Sequence, residues 1–391
     1  MELQGDKNRL MTENSIYNQM LIVQKAQIRK LTEEIDSLRN SMHVNQGRAI
    51  AGIRTIKTGK MYLEKNLDFR ENLDSRMIKF LSRHKKFIVT QKSSEGSLFP
   101  GFGVKLIDFA TYRQEKFINT SNKALNDVSV DSNESLVITA SKDVVCKMFN
   151  LANSNSVHSF IPGTIPIWSC AFDANCHQKL YLGGQNGITY TYDTRNTSEV
   201  LKEVIAADNR SPVKFIIPMK QNEQFQLGGF FVVHMRSIYF YESSDTLGIL
   251  LNFNEPILYA SYDDRTEMLL ITKSPTGLNH EFKQTRHFLM SLVKEEGIPV
   301  LHEVFSFNGS FSALPSMTRP TQIKVPDGCV VTSYLQDTKM LQCWTPGAKL
   351  LHEIGVTDPN NDNCPIYLEN SLFFGALSRS RCRLFKVNLG Y

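Results

Sequence analysis

Asp127-Val-Ser-Val-Asp-Ser-Asn-Glu-Ser-Leu-Val-Ile-Thr-Ala-Ser-Lys-Asp143, followed by Val145-Cys-Lys-Met-Phe-Asn150, can be laid over a second stretch further along the chain. That stretch is Ser169-Cys-Ala-Phe-Asp-Ala-Asn175, Lys179-Leu-Tyr-Leu-Gly-Gly-Gln-Asn-Gly187 and Ile188-Thr-Tyr-Thr-Tyr-Asp193. Asp131 falls on Asp173 and Asn150 on Asp193, offsets of 42 and 43 residues. Each copy reads as a strand, a polar turn, a strand ending in small residues, a second polar turn, and a strand ending in an aromatic followed by Asp or Asn. Lys142-Asp143 and Asn186-Gly187 are tight-turn dipeptides. Alternation such as Thr189, Tyr190, Thr191, Tyr192 sends every second side chain to the same face of a sheet. Ala140, Ser141, Gly183 and Gly184 are small, as required where neighbouring units crowd a common axis.

A period of about 40 to 45 residues with this content is the signature of a WD-type propeller blade. Pairs of middle strands recur near 87–109, 136–151, 179–194, 229–242, 268–294, 330–345 and 372–387, the fourth and fifth being degenerate. Residues Ser274 to Arg286 read as a loop widening the fifth turn. Seven blades is the count; six or eight remain open on spacing alone. A sandwich of two sheets is the alternative, but it leaves the period unexplained. Met61-Tyr-Leu-Glu-Lys-Asn-Leu67 reads as an extra strand that completes the last blade and so removes the open edges of a linear array.

Residues 1–46 carry a heptad. Leu3, Leu10, Tyr17, Gln24, Leu31 and Leu38 occupy one series; Lys7, Asn14, Leu21, Ile28, Ile35 and Met42 occupy the other. Apolar Ile and Leu in the second series with Leu in the first favour a parallel two-stranded coiled coil, and two Asn14 amides can pair across its seam. The stripe is narrower than that of a helix packed on its own domain. The expected architecture is therefore all-β, a seven-bladed WD-repeat β-propeller over 61–391, preceded by an N-terminal α-helical coiled coil over 1–46 and a basic linker over 47–60. Leu10, Asn14, Leu21, Ile28, Leu31, Ile35 and Leu38 form the expected interface of a homodimer.

The chain has 391 residues, 41% hydrophobic and 21% charged, an ordinary core-forming balance that excludes a mainly disordered chain. No apolar run is long enough for a membrane-spanning helix. The polar N-terminus lacks a secretory signal, which places the expected location in the cytosol or nucleus. Seven cysteines with no C-x-x-C pair read as free thiols. None lies in the first 145 residues, so no zinc-ligand cluster stands ahead of the repeats. The net charge of +5 is uneven, with eleven Lys/Arg against four acids between Arg48 and Lys86.

No catalytic constellation, metal site or cofactor motif is visible. Gly183-Gly-Gln-Asn-Gly187 lacks a phosphate-loop lysine and precedes a strand, so it is turn chemistry. Pro100-Gly-Phe-Gly103 reads as a constrained hairpin. Three features are candidates for binding a partner. Trp168, in Pro166-Ile-Trp-Ser-Cys170, is either a core anchor or an exposed aromatic near one face of the ring, where large aromatics make hot spots. Trp344 reads as the end of a core strand. Tyr192-Asp193-Thr-Arg195 resembles the motif by which some propellers dock on the adaptor of cullin-type ubiquitin ligases, and many propellers carry it with no such role. Arg379, Arg381 and Arg383 recur at period two, hence on one strand face. With Lys386 and Arg83–Lys86 they form an expected cationic patch for an acidic protein or, more weakly, a nucleic-acid backbone.

Leu98-Phe-Pro-Gly-Phe-Gly-Val-Lys-Leu106, Pro166-Ile-Trp-Ser-Cys170 and Gly184-Gln-Asn-Gly-Ile-Thr-Tyr-Thr-Tyr-Asp-Thr-Arg-Asn-Thr-Ser198 go beyond a generic blade. They resemble the RING-finger and WD-repeat E3 ubiquitin ligases of the DNA-damage response, with the match strong over 97–198 and thin after Arg210. The family's order is RING, coiled coil, propeller, and this chain looks like the last two. The resemblance implies a nuclear (and cytoplasmic) protein acting on replication protein A and in interstrand cross-link repair. Lacking a RING, the chain is expected to supply recognition and self-association without catalysing transfer by itself. Whether it is a fragment, a short isoform or a RING-less paralogue stays open. The alternative function is a non-enzymatic scaffold or cullin-ligase receptor unrelated to repair.

Overall fold

The computed structural model describes residue 56 and residues 58–69, 73–94, 96–206, 209–242, 247–275, 284–311, 318–326, 328–368 and 371–390. The heptad of residues 1–46, and with it the expected interface from Leu10 to Leu38, lies outside them. Among the described residues there are strands and no helix.

Each run of alternating apolar residues becomes one strand of a four-stranded antiparallel meander, and there are seven such sheets. Strands within a blade are called a to d from the channel outward. Blade one is Met77–Leu81, Lys86–Lys92, Phe102–Asp108 and Gln114–Ser121; blade two is Leu125–Val130, Leu136–Ser141, Cys146–Asn150 and Ser156–Phe160. Blade three is Ile167–Phe172, Lys179–Gly184, Ile188–Asp193 and Lys202–Ile205; blade four is Phe215–Met219, Gly229–Val233, Ile238–Glu242 and Ile249–Leu250. Blade five is Ile257–Asp263, Met268–Lys273, Gln284–Glu295 and Ile298–Phe311; blade six is Thr321–Val325, Gly328–Leu335, Met340–Thr345 and Lys349–Gly355. Blade seven takes Asn360–Leu368, Ser371–Ser378 and Arg381–Gly390 from one end of the ring and Thr58–Asp68 from the other. All seven expected middle-strand pairs form.

The closing strand begins three residues before Met61. Met61 lies opposite Val387 and Leu67 opposite Cys382, so the seam is zipped by backbone hydrogen bonds and by buried apolar side chains. In blade five the c strand starts earlier than the sequence suggested: Arg286 is already paired with Lys273. The alternation continues back through buried His287 and Thr285, which keeps the chain extended there.

The aligned acids close equivalent turns. Asp131 accepts from the amides of Ser135 (2.7 Å) and Leu136 (2.6 Å), and Asp173 from those of Asn175 and Cys176 (both 2.7 Å). At the c–d turns Asn150 accepts from Ala152 N at 2.9 Å and Asp193 from Arg195 N at 2.8 Å. Gly187, at φ +82°, takes the left-handed conformation that its turn needs. Between blades the core is apolar and aromatic, as where Phe160 of blade two packs edge-on against Tyr192 of blade three at 5.1 Å. Six of the seven free cysteines are buried there, and Cys176 is half-buried. Asp127 and Asp362 hold equivalent positions on inner strands and each braces the next blade, Asp127 through Cys170 N (3.1 Å) and Asp362 through Ile78 N (2.8 Å).

Candidate functional site

Because every blade is an antiparallel meander, its a–b and c–d turns share one face of the ring. The b–c turns and d–a connections share the other. Along the axis the inner strands enclose a channel of about 500 Å³, lined by Lys79, Asp127, Tyr259, Arg319 and Asp362 among others. On the b–c face this channel opens into a mouth of about 430 Å³.

Two local devices build the mouth. The inner strands of blades two, three and seven each carry a bulge near their start, and the extra residues are Asn126, Trp168 and Asn361. A bulge re-aims a side chain that regular pleating would send between the sheets. Blades one, four and six instead place a cation just ahead of the inner strand: Arg76, Lys214 and Arg319. Lys142 and Arg379 reach in from b–c turns. Trp168 is thus half-buried on the mouth, not in the core.

The lining holds five cations and a single carboxylate, Asp74. Arg76 grips Asp74 through Nε and Nη2 at 2.9 and 2.7 Å, and Arg379 Nε stands 3.7 Å from the other carboxylate oxygen. Asp74 does this from φ +45°, a left-handed conformation that Asp tolerates better than most residues. Lys214 Nζ donates to the carbonyls of Ile257 (2.6 Å) and Leu258 (3.3 Å), and burial pushes its ammonium down to about 8. Arg319 Nη1 lies 3.7 Å from Asp362 Oδ2. Burial raises the Asp362 carboxyl to about 6 despite the opposing pull of Arg319. Lys142 is exposed. Such a mouth attracts anions and offers two half-buried aromatics, Trp168 and Phe215, to pack against.

Of the residues singled out from sequence, Trp168 and Arg379 meet here, and the others do not. Arg379 sits in the turn before the last strand. Arg381 pairs with Asp358 at 2.9 Å and Asp68 at 3.4 Å. Arg383 is buried and spends its Nη2 on Asp358 (2.8 Å) and Thr357 Oγ1 (3.0 Å). The expected joint patch with Arg83–Lys86 does not form. Those residues make the a–b turn of blade one, on the opposite face, where Lys86 pairs with Glu115 at 2.8 Å. Tyr192, Asp193 and Arg195 are on that far face too. Tyr192 is buried in the core, and the exposed Arg195 folds back on Asp193 with Nη2 to Oδ2 at 2.6 Å. Its hydrogen bonds hold the Asp193 carboxyl at about 2. Trp344 stacks on Phe307 of the neighbouring blade at 4.9 Å. Arg76, Lys142, Lys214 and Arg319 were not read from sequence as site residues. For Arg76, Lys214 and Arg319 the signal was a basic residue one or two positions before an inner strand; Lys142, in a b–c turn, carried no such signal.

One family, described as the WD40 domain of E3 ubiquitin-protein ligase RFWD3, matches residues 61–386. E3 ubiquitin-protein ligase RFWD3 of Ailuropoda melanoleuca is 22% identical over 380 residues, covering 92% of this chain and 48% of that protein. The Homo sapiens protein of the same name is 26% identical over 186 residues, 47% of this chain and 24% of the relative. The chain thus spans about half the length, or less, of these curated relatives. Among solved structures, the β-propeller domain of Myceliophteria_thermophila Cps50 (Swd1) superposes with a TM-score of 0.62 at 10% identity, covering 84% of this chain and all of that one. That likeness speaks to the fold alone.

Proposed function

Since this chain belongs to the RFWD3 WD40-domain family, we propose that it is the substrate-recognising part of a RING-type ubiquitin ligase, capturing its protein target at the cationic mouth around Trp168. The target proposed is replication protein A, the process DNA-damage and interstrand cross-link repair, and the location the nucleus, with a cytoplasmic fraction. The heptad of residues 1–46 would pair two chains, and two modest propeller sites on one stalk raise avidity through effective concentration. Light scattering on the chain, intact and with Leu21, Ile28 and Leu31 made polar, tests that pairing; an unchanged mass removes it.

The observation that supports capture at the mouth is its composition: five cations and a half-buried tryptophan converge on a surface cavity of the ring. Rigid aromatics and arginines carry most of the energy in protein interfaces. In a binding assay between the full chain and purified replication protein A, Trp168→Ala and Arg379→Glu each weaken capture about 10-fold, a loss of about 1.4 kcal/mol. Arg195→Ala, on the far face, leaves it intact. Capture unaffected by both mouth variants rejects the site, and no capture by the parent chain rejects the partner.

A further inference from the structure

We propose that the mouth is a receptor for a phosphate monoester carried on a protein segment, so that the captured partner is recognised in its phosphorylated form. This rests on the reading of the mouth as a protein-capturing surface and names the chemistry it selects.

The charge balance is the first argument. A carboxylate is one charge with two oxygens, and Asp74 occupies only part of the mouth's donors: Arg76 gives both Nε and Nη2 to Oδ2, at 2.9 and 2.7 Å, and Arg379 stands 3.7 Å from Oδ1. The mouth has far more to offer than that. Arg379, Arg319, Lys142 and Lys214 line the same cavity with no further carboxylate in its wall. Surplus positive charge held in one small cavity matches a group that carries close to two charges and three acceptor oxygens. Guanidinium forks suit phosphate geometry, and the mouth holds three: Arg379, largely exposed, Arg76, shared with Asp74, and Arg319, 3.7 Å from Asp362. Asp74 has the character of an internal stand-in: it is a carboxylate placed by a left-handed residue between two arginines, one forked on it and one only 3.7 Å away. A phosphate seated in the mouth would compete for those same two side chains.

The second argument concerns what carries the phosphate. Lys142 lines both the mouth and a neighbouring depression of about 760 Å³, whose walls include Phe99, Lys123 and Lys147. Phe99 and Leu98 stand 75% and 90% exposed at the tip of the long b–c loop of blade one. Its base is closed by two hydrogen bonds, Ser93 N donating to Gly101 O at 2.8 Å and Gly101 N to Ser93 Oγ at 3.1 Å. A chain leaving the mouth over Lys142 would meet this apolar pair, a path with meaning for a polypeptide and none for a free anion. A nucleic-acid strand needs cations spaced along a track with successive stacking platforms. The mouth instead gathers five cations in one small cavity around Trp168 and Phe215, and in the adjoining depression Lys123 is paired with Asp143 at 3.6 Å.

Trp168 can report the event. The chain has two tryptophans, so Trp344→Phe, which keeps an aromatic ring against Phe307, leaves Trp168 as the sole tryptophan, read by excitation that spares the tyrosines. The full chain with this change is titrated with a capped nonapeptide of alanine and leucine bearing phosphoserine at its centre. Its serine and glutamate counterparts, inorganic phosphate and a twelve-residue thymidine single strand are titrated in parallel. The phosphopeptide is expected to shift Trp168 emission with a midpoint at least about 10-fold below every other probe. Arg76→Gln combined with Arg379→Gln should raise that midpoint about 10-fold or more at unchanged Tm, whereas Lys349→Gln, on an outer strand, should not. Equal midpoints for phosphoserine and glutamate, or no response to the phosphopeptide, overturn the proposal. Inorganic phosphate as effective as the peptide overturns the protein source, and a tighter thymidine strand replaces it with nucleic acid. Replication protein A captured by a chain that ignores phosphate would sink this inference alone. A phosphopeptide response without such capture would sink the partner reading alone.

Discussion

Gly183 shows how little freedom a blade end allows. A Cβ placed there would run into Ser169 Oγ on the neighbouring strand and stand 2.6 Å from Val213 Cγ1, in the connection to the next blade. Gly183→Ala is therefore expected to lower stability by about 1–3 kcal/mol, the usual cost of overfilling a tight site, read from denaturant unfolding. Two buried ionisable residues make a second prediction. Burial raises Asp362 from 3.8 to about 6 and depresses His287 from 6.5 to about 4. The raised carboxyl holds its proton more firmly when folded, so its contribution to stability falls as pH climbs from about 3.8 to about 6. The depressed imidazole binds its proton less firmly when folded, so its contribution rises between about 4 and 6.5. At about 1.36 kcal/mol per pKa unit, each effect is about 3 kcal/mol, of opposite sign. Asp362→Asn should leave a stability that climbs with pH across that window more than the parent's, and His287→Gln one that climbs less or falls. Parallel profiles for all three proteins would show that neither group titrates as its burial implies. Residues like Trp168 and Arg379 announce themselves by type and context. Arg76, Lys214 and Arg319 do not, because 243 residues separate the outer two and ring closure alone brings them to one rim.

The strands were legible where turn chemistry repeats. Asp131 and Asp173 sit 42 residues apart and close the same turn, and the b–c pairs follow from alternation between such turns. Legibility failed where a strand's start depends on its neighbour. Period-two spacing put Arg379 on the same face as Arg381 and Arg383, but the strand begins only at Arg381, after the turn. Likewise the c strand of blade five extends back to Gln284 because Ile298–Phe311 gives it a long partner. Bulges are invisible in a periodic reading, since one added residue changes which face a side chain takes without changing composition. Element-scale dependence is strongest at the seam. Removing Thr58–Asp68 strips the last blade of its outer strand and bares the backbone edge of Arg381–Gly390. It also forfeits the burial of Met61 and Leu67, worth about 1.5–3 kcal/mol for each side chain. A chain starting at residue 70 should aggregate where one starting at 56 stays monodisperse. Adding a synthetic Thr58–Asp68 peptide should restore solubility by refilling the open edge. Equal behaviour of the two chains in light scattering would show that closure is dispensable.

At the scale of the molecule, the ring divides its chemistry between two faces. One carries Trp168 in a mouth of five cations; the other carries the Asp193–Arg195 fork, which is neutral as a pair. The net charge of +5 is modest for the length, so attraction of an acidic partner depends on where the cations are gathered. Rim charges act mainly on the encounter and its salt dependence, while a packed anchor acts on how long a complex lasts. The two kinds of mouth residue should therefore separate kinetically. Arg379, 79% exposed on its side chain, belongs to the rim: Arg379→Ala should slow association with the partner proposed above several-fold and flatten its dependence on salt between about 50 and 200 mM, where screening strengthens. Trp168, half-buried in the same cavity, belongs to the anchor: Trp168→Ala should speed dissociation and leave the salt slope in place. Arg195→Ala should change neither rate. Association and dissociation measured on a surface at four salt concentrations would decide it. If Arg379→Ala and Trp168→Ala alter the same rate in the same way, the mouth is not organised as a charged rim around a packed aromatic. If Arg195→Ala alone has an effect, the partner docks on the opposite face.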